Sequence, residues 1–152
     1  MNKTSAAVLL FIVVLLFAAS NAFADAKIAL GKTAFNSSNT VGEIGWEFRD
    51  WEITAGLIGE GETKRGDQGV VPVYSFSKLV KPDWSFLGAK NYYRIGVAYV
   101  DGSPLVGNTN FRLGVGLAWK VASIEYVHYS SAGIHDTNTG IDIIMLRMNL
   151  PF

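Results

Sequence analysis

From about residue 26 onward the chain alternates. Ile44, Trp46 and Phe48 are interleaved with Glu43, Gly45 and Glu47, and Trp51, Ile53, Ala55 and Leu57 with Glu52, Thr54 and Gly56. Further along, Tyr93, Ile95, Val97 and Tyr99 alternate with Arg94, Gly96 and Ala98. Phe111, Leu113, Val115, Leu117 and Trp119 alternate with Arg112, Gly114, Gly116, Ala118 and Lys120. Successive residues of a β-strand point to opposite faces, so a period of two predicts strands with one bulky apolar face and one small or charged face. Clusters of Gly, Asn, Asp and Pro punctuate these runs as turns do. The pattern predicts strands over roughly 26–35, 41–49, 51–59, 70–80, 91–100, 109–119, 121–131 and 140–151. No helical periodicity of useful length interrupts them, and the fold class is all-β.

Which face points inward decides the environment. A soluble barrel hides its apolar face, whereas an outer-membrane barrel turns it to lipid. Glycine and alanine on the polar face suit the cramped interior of an eight-stranded barrel, and aromatics near strand ends suit interfacial girdles. The chain stops on Phe152, and an aromatic closing an amphipathic strand resembles the recognition signature of bacterial outer-membrane barrels. The expectation is an eight-stranded antiparallel transmembrane β-barrel. Its lumen then carries Glu43, Glu47, Glu52 and Glu125 against Arg94, Arg112, Lys120 and Arg147, with Glu125 and Arg147 expected to pair across adjacent strands. Lys27 and Lys32 have opposite parity and leave strand 1 unoriented, and Pro72 suggests an interruption of the ladder. Gly59 to Gly69 reads as a long exposed loop without the spacing of a phosphate-binding loop.

The first residues add a compartment. Lys3, an apolar run from Ala6 to Ala19 and Ala22-Phe23-Ala24 have the three-part layout of a secretory signal peptide with an A-x-A site, so cleavage is expected after Ala24. The apolar run is short for a membrane-spanning helix. Residues 1–24 are therefore assigned to the signal peptide and 25–152 to the barrel. The chain has no cysteine and two histidines, which offers neither a disulfide nor a metal-ligand cluster, and no cofactor is expected. Formal net charge is zero, so no basic field marks a nucleic-acid partner.

Candidate chemistry lies in the last quarter. Strand 7 places Ala122, Ile124, Tyr126, His128 and Ser130 on one face; strand 8 places Asp142 with Ile144, Leu146, Met148 and Leu150. All three polar residues thus fall on the lipid-directed face of neighbouring strands, close enough to touch. If both termini face the periplasm, strand 7 ascends and strand 8 descends, which puts Ser130 and Asp142 near the extracellular rim. A histidine, a serine and a carboxylate there fit a lipid hydrolase. On parity alone they fit ordinary polar residues at strand ends near the headgroups better still.

The run His128-Tyr-Ser-Ser-Ala-Gly-Ile, followed by Asn138-Thr-Gly-Ile-Asp142, resembles the signature of the lipid A 3-O-deacylase family, often called PagL. The signal, length, strand pattern and aromatic terminus agree with that family over the whole chain. The resemblance implies an outer-membrane barrel that removes the ester-linked acyl chain at position 3 of lipid A, the anchor of lipopolysaccharide, without a metal. Carried over by position, His128 matches the catalytic base, Ser130 the nucleophile and Asp142 the carboxylate that orients the histidine. Asn138, with backbone N–H groups around Ala132 and Gly133, matches the oxyanion donors. Two positions depart: Ser131 stands where the family usually has asparagine, and Asp142 where it usually has glutamate, one methylene longer. His135 has no motif match and reads as a solvated loop residue. Two further readings stay open, a non-enzymatic barrel acting as adhesin or structural protein, motivated by the 59–69 loop and the two departures, and a periplasmic ligand-binding barrel.

Overall fold

A computed structural model describes residues 24–150. The expected signal peptide with its cleavage site, and the terminal Phe152, lie outside the described residues. Eight long strands dominate: β1 (Ala24–Ala34), β2 (Thr40–Phe48), β3 (Trp51–Ile58), β4 (Val71–Val80), β5 (Ala89–Val100), β6 (Thr109–Ala118), β7 (Ala122–Ser130) and β8 (Ile141–Leu150). Each pairs antiparallel with its sequence neighbours, and β1 pairs β8 from Ala26↔Leu150 to Ala34↔Asp142. The sheet therefore closes into an up-and-down barrel with no free edge, which is how strands satisfy every backbone donor in a medium without water. The aromatic and aliphatic residues of the alternating pattern project outward. Leu30, Leu57, Ile95, Val97, Leu113, Val115, Ile144 and Leu146 are all exposed, a continuous apolar wall fitted to lipid.

Boundaries follow the sequence pattern closely, with two differences. Pro72 does not interrupt β4: it is the second residue of the strand and stays in register opposite Leu57. The 59–69 segment is largely exposed, as expected, but it is also ordered within itself, because Gly61–Thr63 and Gly66–Gln68 pair as a short hairpin. That hairpin leans over the turn between β1 and β2, through an isolated bridge from Ser37 to Thr63 and a bond from the Lys64 N–H to the Asn36 carbonyl.

The lumen has two storeys. Toward the end where β1 begins and β8 finishes it is ionic. Arg147 donates to Glu43 at 2.8 Å, to Glu52 at 2.6 Å and to Glu125 at 3.0 Å, so the expected Glu125–Arg147 pair is formed. Arg94 bridges Glu52 and Glu125, and Arg112 reaches Glu43. Room for the Arg94–Glu125 pair comes from Gly114, where an added Cβ would sit 2.8 Å from a Glu125 oxygen. Lys27 points inward to Glu47 and Glu52, which orients β1 and leaves Lys32 on the outer face. Lys120 does not join this network; it lies exposed in the turn between β6 and β7.

Toward the opposite end the lumen is apolar. Val41, Ile58, Val71, Val73, Val100, Val127, Tyr129, Ile141, Ile143 and Met145 are buried there, capped by Leu105 and Val106 from the β5–β6 loop. Parity did not separate this core because the strands are apolar on both faces at that height, as in Ile141-Asp142-Ile143-Ile144. A small barrel filled in this way is a packed core and not a channel.

Candidate active site

The site is assembled by the register of β7 on β8. His128 lies directly opposite Asp142, and both project from the outer wall. Facing side chains on antiparallel strands are near neighbours. Here His128 Nδ1 and Asp142 Oδ1 are 2.8 Å apart. An ionised carboxylate only accepts, so Nδ1 carries the proton and Nε2 holds the free lone pair. Among the described residues Nε2 has no hydrogen-bond partner, and the imidazole is about one-third exposed (34%).

Two further groups fix this pair. The Tyr126 hydroxyl, two residues before His128 on the same face, donates to the same Asp142 oxygen. Asp142 is thereby 8% exposed although its strand neighbours Ile144 and Leu146 are open to lipid. On the other side of the ring stands Gly140, with φ +84°, where a Cβ would come within 2.8 Å of His128 Cε1. Position 140 thus excludes side chains twice, by its left-handed backbone and by the ring lying on it.

Ser130 shares the outer face, two residues beyond His128, but its hydroxyl does not bond the imidazole. It donates to Asn138 Oδ1 at 3.1 Å. The Ser131 N–H donates to the same oxygen at 2.9 Å. A backbone N–H can only donate, so the Asn138 amide must present Oδ1 to it, and Nδ2 is left as the outward donor. The Ala132 N–H points at Ser130 Oγ from 3.3 Å. Ala132 and Gly133 are both left-handed, with φ +48° and +83°, and turn the chain tightly beside the serine. Gly133 is exposed.

The segment leading into β8 is held from three directions. Asn36, just after β1, donates its side-chain amide to the carbonyls of Thr139 and Gly140, each at 3.1 Å. Thr139 N–H bonds the Leu105 carbonyl at 2.8 Å, and Val106 bridges Asn138. From the β3–β4 hairpin, Arg65 reaches across the β1–β2 turn and donates its Nε to the Thr139 hydroxyl. His135 is half-buried and its Nε2 accepts from the Thr109 N–H at 3.4 Å, so it braces the β5–β6 loop instead of standing free in solvent.

Sequence reasoning brought His128, Asp142, Ser130, Ala132, Gly133 and Asn138 forward, and all six cluster at one end of the outer wall. It missed Tyr126, Gly140, Asn36 and Arg65. Tyr126 was legible through its parity with His128; Asn36 and Arg65 belong to distant loops and carry no local signal. Among the described residues no group of three or more His, Cys, Asp or Glu is placed to hold a metal ion.

Comparison with known proteins bears on this arrangement. A family model described as lipid A 3-O-deacylase (PagL) matches residues 40–151. A solved structure, the crystal structure of the outer membrane enzyme PagL, superposes with a TM-score of 0.63 at 21% identity, covering 84% of this chain and 99% of that one. At that identity the likeness establishes the shared barrel fold. No curated protein matches the chain.

Proposed function

The chain belongs to the lipid A 3-O-deacylase (PagL) family, and on that premise we propose that Ser130, His128 and Asp142 act as its catalytic triad in the outer leaflet of the outer membrane. The family makes the protein a carboxylic ester hydrolase and an outer-membrane barrel. The adhesin and periplasmic-binding readings give way to it. The observation that carries the triad is the His128–Asp142 pair, with its free Nε2 on a wall otherwise suited to lipid.

In the proposed reaction Ser130 Oγ attacks the ester carbonyl carbon while its proton passes to His128 Nε2. Rotation about the Ser130 Cα–Cβ bond takes Oγ from Asn138 toward the imidazole, and such bonds commonly tighten only once substrate is bound. Asp142 holds the tautomer and balances the imidazolium. The negative oxygen of the tetrahedral intermediate is met by the Asn138 Nδ2 and by backbone N–H groups at Ala132 and Gly133, placed where charge develops. Collapse expels the sugar 3-hydroxyl, protonated by His128, and leaves an acyl ester on Ser130. Water, deprotonated by His128, then releases the fatty acid and restores the serine. Aspartate in place of glutamate makes the carboxylate one methylene shorter, and the bond from Tyr126 fixes it where its reach to Nδ1 suffices.

The test is the lipid A mass spectrum of a Gram-negative host expressing the wild type or S130A, with insertion checked by heat-modifiable gel mobility. Wild type is expected to remove one hydroxyacyl chain and the folded variant none, a loss of about 10⁶ in kcat. Removal of that chain by S130A would overturn the serine mechanism.

A further inference from the structure

We propose that Arg65 and Lys32 form a binding site for the phosphate on the same sugar that carries the scissile ester, a proposal that rests on the deacylase reading above. At the loop end of the barrel the described acidic residues are Glu60, Glu62, Asp67, Asp101, Asp136 and Asp142, whereas the described cations are Lys32, Lys64 and Arg65. A rim with an acidic excess repels a phosphate-rich leaflet unless cations are placed where the substrate must dock. Here Lys32 stands on β1, next to the strand that carries Asp142, and Arg65 reaches Thr139 just ahead of that strand.

Arg65 is tethered through Nε to Thr139, the residue before the Gly140 on which the His128 ring lies. That bond uses one of its five N–H donors. The two terminal nitrogens have no acceptor among the described residues and keep the fork that matches two phosphate oxygens. The hairpin that presents Arg65 crosses from β3–β4 over the β1–β2 turn, and its Arg65 side chain ends at the catalytic segment. Lys32 lies on the same side of β8, lower on the wall. It stands opposite Ile144 on β1, two residues before Ala34, which faces Asp142. It projects outward between the exposed Leu30 and Ile144, and among the described residues it has no acidic partner. A lysine on a lipid-facing wall directs its ammonium toward the polar boundary, and an anion from the leaflet lowers the cost of holding it there.

The substrate supplies that anion. Lipid A is a phosphorylated glucosamine disaccharide in which the position-3 ester and the position-1 phosphate hang from one ring, so the phosphate stays one sugar away from the carbonyl that Ser130 attacks. Anchoring it selects the position-3 ester over other esters of the same molecule, because the distance from anion to carbonyl is fixed by the ring.

Full-length wild type, R65A, R65K and K32A are to be assayed in nonionic micelles against lipid A with and without its position-1 phosphate. Wild type is expected to prefer the phosphorylated form about tenfold in kcat/KM through KM; R65A and K32A lose most of that preference, and R65K recovers part of it. The same preference is expected in the affinity of S130A for the two lipids, a readout that survives failure of the serine mechanism. Equal losses on both lipids would make Arg65 a brace for Thr139 and overturn the proposal, as would a wild type indifferent to the phosphate. A preference that appears only on adding an anionic phospholipid assigns the cations to neighbouring headgroups and overturns it as well.

Discussion

Glu125 and Asp142 sit on paired strands, one inside the barrel and one outside, and each accepts a hydrogen bond from a tyrosine, Tyr92 in the lumen and Tyr126 on the wall. Beyond that they diverge. Glu125 is closed off by Arg94 and Arg147, which are themselves bonded to further carboxylates. Asp142 meets one imidazole whose far nitrogen has no partner among the described residues. Inside, three glutamates and three arginines neutralise one another out of water, where the cost of desolvating each charge offsets most of the attraction. Outside, the polar groups are left with free hydrogen-bonding capacity, and that capacity is what a reaction uses. Polar burial alone therefore does not mark a site, and neither does an unpartnered atom, since Glu52 Oε2 and Arg112 Nε lack hydrogen-bond partners inside; what marks the wall is open capacity that a substrate can reach.

Three substitutions probe this contrast. Asp142→Asn removes the acceptor that sets the His128 tautomer, and kcat is expected to fall by about 10⁴ with the barrel still folded, as read by lipid A turnover and gel mobility. Glu125→Gln should do the opposite. It leaves Arg94 and Arg147 short of an opposite charge and is expected to lower stability by about 3–5 kcal/mol in urea unfolding, with activity per folded molecule retained. If E125Q instead abolished turnover in a fully folded barrel, the separation of the two regions would be wrong. The smallest effect is expected from Tyr126→Phe, which deletes one bond to a charged carboxylate and should cost about tenfold in kcat/KM. An unaltered kcat/KM in Y126F would show that His128 alone positions Asp142.

The barrel was legible because its strands carry an alternating pattern over most of their length, and the closed meander needs little beyond eight such strands and short turns. The outward placement of His128, Ser130 and Asp142 followed from the same parity. What escaped has a physical cause in each case. The apolar upper lumen was hidden because Ile141, Ile143 and Ile144 make both faces of β8 apolar at that height. The dock of the 61–68 hairpin was hidden because Arg65 and Thr139 are joined by tertiary contact alone, across β1 and β2 of the wall. Lys27 and Lys32 were ambiguous as a pair and resolved only when register showed one meeting Glu47 and the other facing lipid.

The two-storey filling of the lumen has a consequence for the cell. With guanidinium–carboxylate pairs across one half and Leu105 and Val106 seated over packed valines and isoleucines in the other, the described side chains plug the lumen in both halves. Each inserted copy then adds a catalyst to the membrane without adding a leak. Purified protein in a planar bilayer is expected to be electrically silent, and stepwise single-channel currents would show that the lumen opens.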